Sequence, residues 1–142
     1  MNKYYTRNSD YYFVVENKYN SKPEGLLSLY NIESKCGEFG RWIIKPGSFA
    51  ATESAFLLYK FAFDTLGLAR VECKTIADNA SVVKFHSRYC TKTSNNISLD
   101  FEGNNVPAVL QTIESSDWKQ NKERKFLENC LKIAKRVSRE PC

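Results

Sequence analysis

The sequence has few of the residues on which a metal site, a disulfide framework or a membrane span depends. Its 142 residues include one histidine, His86, and five cysteines that are odd in number, widely spaced and without a CxxC pair: Cys36, Cys73, Cys90, Cys130 and Cys142. No run approaches about 18 consecutive apolar residues, and the N-terminal MNKYYTRNSDYY does not resemble a secretory signal. We therefore expect reduced thiols, no metal ion and a cytoplasmic protein.

Composition and charge favour one globular domain over residues 1–142, with a basic C-terminal end. The chain is 42% hydrophobic and 26% charged, which is typical of a single core. Of the net charge of +5, the segment from Asp117 onward contributes +4, because it holds eight Lys or Arg against four Asp or Glu. Such a segment can attract nucleic acid, but it is more often the solvated side of a helix.

The first half of the chain changes from a strand pattern to a helix pattern at KPGS. Aromatic and β-branched residues with intervening turn formers predict an antiparallel meander of three strands: Tyr11 to Lys18, Leu26 to Ile32 and Phe39 to Ile44. The segment from Ala50 to Leu66 then repeats apolar residues at three- and four-residue intervals, which predicts a long helix. Gly67 suits the left-handed residue that follows a helix.

The second half predicts a strand, a short helix, two closing strands and a last helix. Arg70 to Ile76 alternates as a strand and Ser81 to Tyr89 as a helix, and the strand at Arg70 is expected to run parallel to the one before the long helix. The closing strands are predicted at Asn96 to Phe101 and Ala108 to Glu114. Ser115 or Ser116 is expected to cap a basic helix at about 116–138, whose apolar face holds Leu127, Cys130, Leu131 and Ala134.

This order of elements resembles the central core of the GNAT superfamily of acetyl-CoA-dependent N-acetyltransferases, from Phe39 to Cys90 and more weakly to Trp118. The resemblance implies an α/β (α+β) fold with a mixed, mostly antiparallel sheet flanked by helices. Family members begin with a strand and two helices that help to line the acceptor site, and the sequence leaves no room for them before Tyr11. We therefore expect an open acceptor site, or one that a second copy of the chain completes.

The segment KPGSFAATE stands where the family has a loop whose amides bind the pyrophosphate of coenzyme A. Free amides in a first helical turn and the helix dipole both favour a diphosphate. The small residues that would let phosphate approach, with two hydroxyl donors, are Gly47, Ser48, Ala50, Ala51, Thr52 and Ser54. The loop departs from the family pattern in either of two alignments. If Thr52-Glu53 is aligned with the family's G-T-E, Phe49 replaces a glycine and Pro46 replaces an Arg or Gln; if Pro46 is aligned with the proline that often closes the strand, the loop is about three residues shorter. Lys45 is the nearest cation.

The resemblance also implies roles for residues outside the loop. The backbone of Trp42, Ile43 and Ile44 is expected to pair with the pantetheine arm like an added strand, and Asn79 in TIADNASVVKFH to meet the same arm. His86 falls where many members have a tyrosine that protonates the departing thiolate, and a histidine with a pKa near 6.5 could do so.

Further candidates for proton transfer are Tyr89 as a second acid, and Glu38 or Glu72 as the base that deprotonates the amine. Each has a plain structural alternative: a buried helix histidine for His86, a core aromatic for Tyr89 and solvated strand-edge acids for Glu38 and Glu72.

The expected reaction is transfer of acetyl from acetyl-CoA to a primary amine. The segments KFHSRY and IESSDWKQN are similar to members that act on amino sugars attached to nucleotides. The degenerate loop leaves a second interpretation open, a non-catalytic domain for acyl-CoA sensing or protein interaction. A third is a nucleic-acid-binding module that uses the basic helix, with Trp118 and Phe126 as stacking surfaces.

Overall fold

The computed structural model describes residues 10–139, which contain a six-stranded sheet in the order β1-β2-β3-β4-β6-β5. The strands are β1 (Tyr11–Glu16), β2 (Pro23–Glu33), β3 (Cys36–Ile44), β4 (Arg70–Ile76), β5 (Lys92–Phe101) and β6 (Asn104–Glu114). Only β3 and β4 pair in parallel, and every other neighbouring pair is antiparallel. The expected meander, the parallel crossover and the mixed, mostly antiparallel sheet are confirmed.

Helices follow β3, β4 and β6. Helix α1 (Ala50–Lys60) continues into a π-helical turn (Phe61–Thr65), and α2 (Ala80–Ser87) is a short helix. A single turn, α3 (Ser115–Asp117), passes through a π-helical turn (Trp118–Lys122) into α4 (Glu123–Arg139). Gly67 has φ +67°, as expected for the residue that stops the first of these helices. None of the helices within residues 10–139 is long and apolar enough to cross a membrane.

The helices pack on one face of the sheet, where the core lies. Phe39 of β3 meets Tyr59 of α1 and His86 of α2 at ring-centroid distances of 5.5 Å each, and Tyr89, two residues after α2, stacks on Phe126 of α4 at 3.5 Å. Trp118 and Phe126 are fully buried. Each large apolar side chain buried in this way stabilises the fold by about 1.5–3 kcal/mol, so this aromatic cluster anchors the helices to the sheet.

The C-terminal helix differs from its prediction at the N-cap, and the residues predicted to share its apolar face are only partly covered. Leu127 and Leu131 are 45% and 56% exposed, whereas Phe126 is buried. Glu114, rather than Ser115 or Ser116, occupies the N-cap position, without a side-chain cap hydrogen bond.

The other face of the sheet is uncovered by any helix within residues 10–139. Val14, Leu26 and Ile43 are cross-strand neighbours in register, so they form one row across β1, β2 and β3 on this open face. All three are more than half exposed. The expectation of a shortened front concerns residues 1–9 and lies outside the described residues, and the single-domain assignment stays a prediction.

Four of the five cysteines lie in the described part of the chain, and all four are free thiols: Cys36, Cys73, Cys90 and Cys130. No disulfide joins these four residues, and their reduced state stays a prediction. Cys142 lies outside the described residues.

Candidate functional site

The two central strands separate soon after they begin. β3 and β4 pair only from Cys36 to Glu38 and from Arg70 to Glu72. Beyond this point β4 continues to pair with β6 as far as Ile76, and β3 pairs with β2 as far as Ile44. Within residues 10–139, the edge of β3 from Phe39 to Ile44 that faces β4 therefore has no strand partner. A cleft opens between the carboxyl ends of two parallel strands, where ligands of such sheets bind.

A β-bulge in β3 shapes the floor of this cleft. Leu26 pairs with Ile43 and Ser28 with Gly40, so one residue of β2 lies opposite both Arg41 and Trp42. Arg41 has φ +50°, a left-handed conformation that is uncommon for this residue type. The extra residue restores the alternation so that Trp42 faces the helices, while the Arg41 guanidinium stacks over Tyr30 at 4.1 Å on the open face.

Trp42 connects the cleft to both neighbouring helices. Its indole Nε1 donates to Ser54 Oγ of α1 at 3.3 Å, and Ser54 Oγ donates to the carbonyl of Ala51 at 2.9 Å. On the other side its ring contacts Phe85 of α2 at a centroid distance of 4.9 Å. The backbone of Trp42, Ile43 and Ile44 lies on the edge of β3 that faces β4, as the sequence suggested.

His86 lies in an aromatic enclosure at the inner end of the cleft. Its ring is 5.5 Å from Phe39, 5.6 Å from Trp42 and 5.6 Å from Phe85, measured between centroids, and only 6% of the residue is exposed. Burial lowers the pKa of His86 from its ordinary 6.5 to about 4, because the low-dielectric surroundings disfavour the imidazolium. The expected pKa near 6.5 is therefore wrong, and the imidazole is neutral at pH 7.

Tyr89 lies apart from the cleft opening. Its ring is stacked against Phe126 and its hydroxyl accepts a hydrogen bond from Asn129 Nδ2 of α4 at 2.7 Å. Burial raises the pKa of this phenol above its ordinary value, in part opposed by the hydrogen bond from Asn129. The structure thus supports the structural reading of Tyr89 more than the acid.

Several polar groups of the loop that precedes α1 form hydrogen bonds within the protein. The Ser48 amide donates to the Lys45 carbonyl at 3.0 Å in a turn with Pro46 second and Gly47 third, and Gly47 has φ +84°. The Ser48 hydroxyl accepts from the Ala50 amide at 3.1 Å and donates to Glu24 Oε1 at 2.8 Å. Within residues 10–139, the amides of Ala51 and Thr52 have no such partner, so they could donate to an anion.

Asn79 is placed at the start of α2, as the sequence suggested. It occupies the N-cap position, and its side-chain oxygen accepts from Ser81 Oγ at 3.4 Å. The residue is exposed, so its side-chain NH₂ is available to a ligand in the cleft.

Glu38 and Glu72 are register partners on the open face, at the last paired position of β3 and β4. Glu38 accepts a hydrogen bond from Asn31 Nδ2 at 2.8 Å and forms an ion pair with Lys74 Nζ at 2.5 Å. The hydrogen bond to Glu38 raises the pKa of Lys74, so the Lys74 ammonium is charged at neutral pH. These residues line a cavity of about 530 Å³ together with Ile32, Glu33 and Cys36.

The sequence reasoning missed the residues that surround Glu38. Asn31 and Lys74 lie on β2 and β4, and their proximity to Glu38 depends on the register of the sheet. Lys74 alone had a signal, because it stands two residues after Glu72 and so shares its face of β4.

A second cavity, of about 810 Å³, lies between β1, α1 and α4. Apolar side chains of β1, α1 and α4 line most of it, including Phe13, Leu57 and Ile133. It shares Ser48, Ala50 and Glu53 with the start of α1 but does not include Trp42, Asn79 or His86. We place the candidate site at the cleft, because the unpartnered edge of β3 and the start of α1 border it.

The structure also bears on nucleic-acid stacking and on metal binding. Trp118 and Phe126 have no exposed surface, so the expectation that they stack on nucleic-acid bases is wrong. Among residues 10–139 there is no group of three His, Cys, Asp or Glu side chains placed to hold a metal ion.

Solved structures that share this fold include N-acetyltransferases. A GCN5-related N-acetyltransferase from Brucella melitensis is 22% identical, with a TM-score of 0.77 over 89% of this chain and 60% of its own. A mutant of spermidine N-acetyltransferase SpeG from Vibrio cholerae is 21% identical, with a TM-score of 0.74 over 84% and 72%. Apo FdhC, a nucleotide-linked sugar GNAT, is 24% identical, with a TM-score of 0.70 over 87% and 69%.

The family comparison agrees with the fold. No protein of curated function matches the sequence significantly. The model of the acetyltransferase (GNAT) domain matches residues 1–89, which is more than half of the chain and includes β1 to α2. The chain therefore belongs to the GNAT acetyltransferase family.

Proposed function

We propose that this chain is an N-acetyltransferase that moves acetyl from acetyl-CoA to a primary amine. The observation that carries the proposal is the divergence of β3 from β4 after Glu38 and Glu72, beside the start of α1. Family membership supports it, since GNAT acetyltransferases use acetyl-CoA as co-substrate. The loop at Ser48 departs most from a phosphate-binding loop, because some of its amides already donate hydrogen bonds within the protein.

The donor fits the cleft through the backbone of this chain. The edge of β3 at Trp42, Ile43 and Ile44 would pair with the pantetheine amides as an added strand does, and the side chain of Asn79 would donate to the same arm. The free amides of Ala51 and Thr52 and the positive end of α1 would meet a phosphate. Gly47, Ser48 and Ala50 form the wall of this approach, with Lys45 as its cation.

Glu38 is the base in this proposal. The donor supplies an acetyl thioester, whose carbonyl carbon is attacked by the neutral amine while the carbon–sulfur bond breaks. Glu38 lies on the open face beside the strand separation, where it would take the amine proton directly or through a water molecule. Lys74 and Asn31 hold its carboxylate in one orientation. Glu72, its register partner, is the alternative base.

His86 has a different role from the one its position suggested. A group with a pKa of about 4 is almost entirely unprotonated at pH 7, so it does not supply a proton to the departing thiolate. We propose that the neutral imidazole fills the inner end of the cleft and positions Trp42. The thiolate would then be protonated by water or by the proton released from the amine.

The acceptor is proposed to be a small molecule with a primary amine. Two of the similar structures are named for spermidine and for nucleotide-linked sugars, and the sequence segments KFHSRY and IESSDWKQN favour an amino sugar or a sugar nucleotide. The cavity at Glu38 has both signs of charge, which suits an acceptor that carries an amine and other polar groups.

The test combines binding with turnover. Titration with acetyl-CoA should raise the unfolding temperature, with about 2.7 kcal/mol of stabilisation at one hundred times the dissociation constant. Thiol release should then be followed with a panel of polyamines, amino sugars and amino-sugar nucleotides. Absence of any stabilisation at millimolar acetyl-CoA would sink the proposal.

The non-catalytic alternative is favoured by one observation: the Ser48 hydroxyl already forms hydrogen bonds with Glu24 and with the Ala50 amide. Binding of acetyl-CoA without thiol release for any amine of the panel would support acyl-CoA sensing instead. The nucleic-acid alternative retains only the basic helix. It requires salt-dependent retention on DNA that disappears when Lys132, Lys135 and Arg136 are neutralised.

A second copy of the chain is proposed to cover part of the open face. The row Val14, Leu26 and Ile43 supports this, because exposed apolar neighbours on one sheet face mark interaction surfaces. Sedimentation of the purified chain should give a dimer that Ile43→Lys dissociates. A monomer at all concentrations would contradict the proposal.

A further inference from the structure

The Ser48 hydroxyl stands where an anion would otherwise meet the start of α1. Its oxygen accepts the Ala50 amide at 3.1 Å, and its proton is donated to Glu24 Oε1 at 2.8 Å. The backbone of Glu24 also belongs to this arrangement, since its carbonyl accepts the Lys45 amide at 2.7 Å. Glu24 thus fixes the loop at both of its ends.

This arrangement reduces what the loop can offer to a diphosphate. The Ser48 and Ala50 amides are both occupied, and Pro46 has no amide hydrogen. A ligand phosphate would therefore have to displace the Ser48 hydroxyl before it could bind the Ala50 amide. Displacement of a satisfied hydrogen bond returns little net free energy, because one bond is exchanged for another.

Charge acts in the same direction. Glu24 is within two hydrogen bonds of the Ala50 amide, and Glu53 adds a second carboxylate to the first turn of α1. The negative charge of these carboxylates offsets the positive end of the helix dipole and repels a further anion at the helix N-terminus. Lys45 is the one cation of the loop segment from Lys45 to Ala50.

The other half of the cleft shows no such obstruction. The edge of β3 from Phe39 to Ile44 has no strand partner within residues 10–139, and the side chain of Asn79 is exposed beside it. Recognition of an amide-containing arm is therefore intact where recognition of a diphosphate is weakened.

We propose that Ser48 and Glu24 are specificity-determining residues that make this site bind its thioester mainly through the pantetheine arm. The chain then discriminates weakly between acetyl-CoA and acetyl-pantetheine, which lacks the diphosphate and the nucleotide. This inference rests on the proposed function, because it assigns the donor selectivity of the same site.

Calorimetric titration of the full chain with coenzyme A and with pantetheine tests the inference without turnover. The wild type should bind coenzyme A no more than about tenfold tighter than pantetheine. Glu24→Gln keeps an acceptor for Ser48 but removes the charge, and should tighten coenzyme A binding about tenfold, because it removes one like charge near the diphosphate.

Two further variants separate the causes. Ser48→Ala removes the hydroxyl that occupies the Ala50 amide and should also tighten coenzyme A, while neither variant changes pantetheine binding. Glu128→Gln, an exposed residue of α4 with the same change of charge, is the matched control and should change neither affinity. Thermal unfolding of each variant verifies that it is folded.

The outcomes are distinguishable. A wild type that binds coenzyme A about a thousandfold tighter than pantetheine, or a Glu24→Gln variant with unchanged or weaker coenzyme A binding, overturns the inference and leaves the acetyltransferase proposal standing. Failure of all the folded proteins to bind either ligand overturns the proposed function, and this inference with it.

Discussion

The indole of Trp42 on β3 donates to the hydroxyl of Ser54 on α1, with 3.3 Å between Nε1 and Oγ. Ser54 passes the connection to the carbonyl of Ala51, one of the residues with a free amide in the first turn of α1. The floor of the cleft and the helix start that borders it are therefore held in one arrangement, and the bulge at Arg41 is what turns Trp42 toward that helix.

The coupling between Trp42 and Ser54 is measurable by a double-mutant cycle. Trp42→Phe keeps an aromatic ring but loses the donor, and Ser54→Ala loses the acceptor. Each should lower the free energy of unfolding, and the two losses should share an interaction energy of about 1 kcal/mol, typical of a partly buried hydrogen bond. Urea unfolding of the four proteins gives the cycle. Strictly additive losses would show that the bond contributes nothing.

The pH dependence of stability should report the burial of His86. The folded-state pKa of about 4 is below the ordinary 6.5, so between these values the unfolded chain binds more protons than the folded one. The native state is therefore favoured above pH 6.5, and about 3 kcal/mol of this stability is lost as the pH falls to 4. Urea unfolding at several pH values should show a smaller acid loss for His86→Gln than for the wild type.

A spectroscopic test of the same pKa needs no variant. Because the chain has one histidine, a single pair of imidazole C–H signals can be followed by NMR. These signals should not shift between pH 8 and pH 5.5. A titration centred near 6.5 would contradict the buried, neutral imidazole and would restore His86 as an acid.

Glu38→Gln should separate catalysis from donor binding. Removal of the base should lower the rate of thiol release by about 10²- to 10³-fold, since general base catalysis contributes on this order. The acetyl-CoA affinity should remain within about twofold, because Glu38 lies on the open face and not along the donor arm. Glu128→Gln is the control for charge. If Glu72→Gln causes the large loss and Glu38→Gln does not, the base has been assigned to the wrong strand.

Tyr89→Phe tests the structural reading of Tyr89. The variant loses the hydrogen bond from Asn129 but keeps the stack on Phe126, so stability should fall by about 1 kcal/mol. The rate of thiol release should stay within about twofold of the wild type. A fall of a hundredfold, with the fold intact by circular dichroism, would make Tyr89 the acid.

The order of elements could be predicted from the sequence because each element has its own period and its own terminator. The strand from Arg70 to Ile76 was predicted with its observed bounds, and Gly67 has the left-handed φ that its position required. Nothing in the residues themselves signals the π-helical turn at Trp118–Lys122. The turn begins at Trp118 and precedes Phe126, and both of these side chains are buried in the core.

The position of the candidate site in the sequence could be predicted, but the hydrogen-bond partners and pKa values of its residues could not. Small residues between a strand and a helix located the loop at Ser48. The side-chain partners came from register: Glu24 reaches Ser48 because β2 and β3 are paired, and 24 residues separate them in the sequence. The pKa of His86 likewise depends on Phe39 and Trp42, which are brought to it only by the packing of α2 against the sheet.

The short parallel pairing of β3 with β4 has a mechanical consequence. Within residues 10–139, strand pairing joins β1-β2-β3 to β4-β6-β5 only at three residue pairs of β3 and β4, beside the Lys74–Glu38 ion pair. The sheet thus consists of two three-stranded halves joined by a short stretch of parallel pairing, with the helices packed on one face. Amide hydrogen exchange should find two separately opening units. The angle between the two halves of the sheet would then set how wide a ligand the cleft admits.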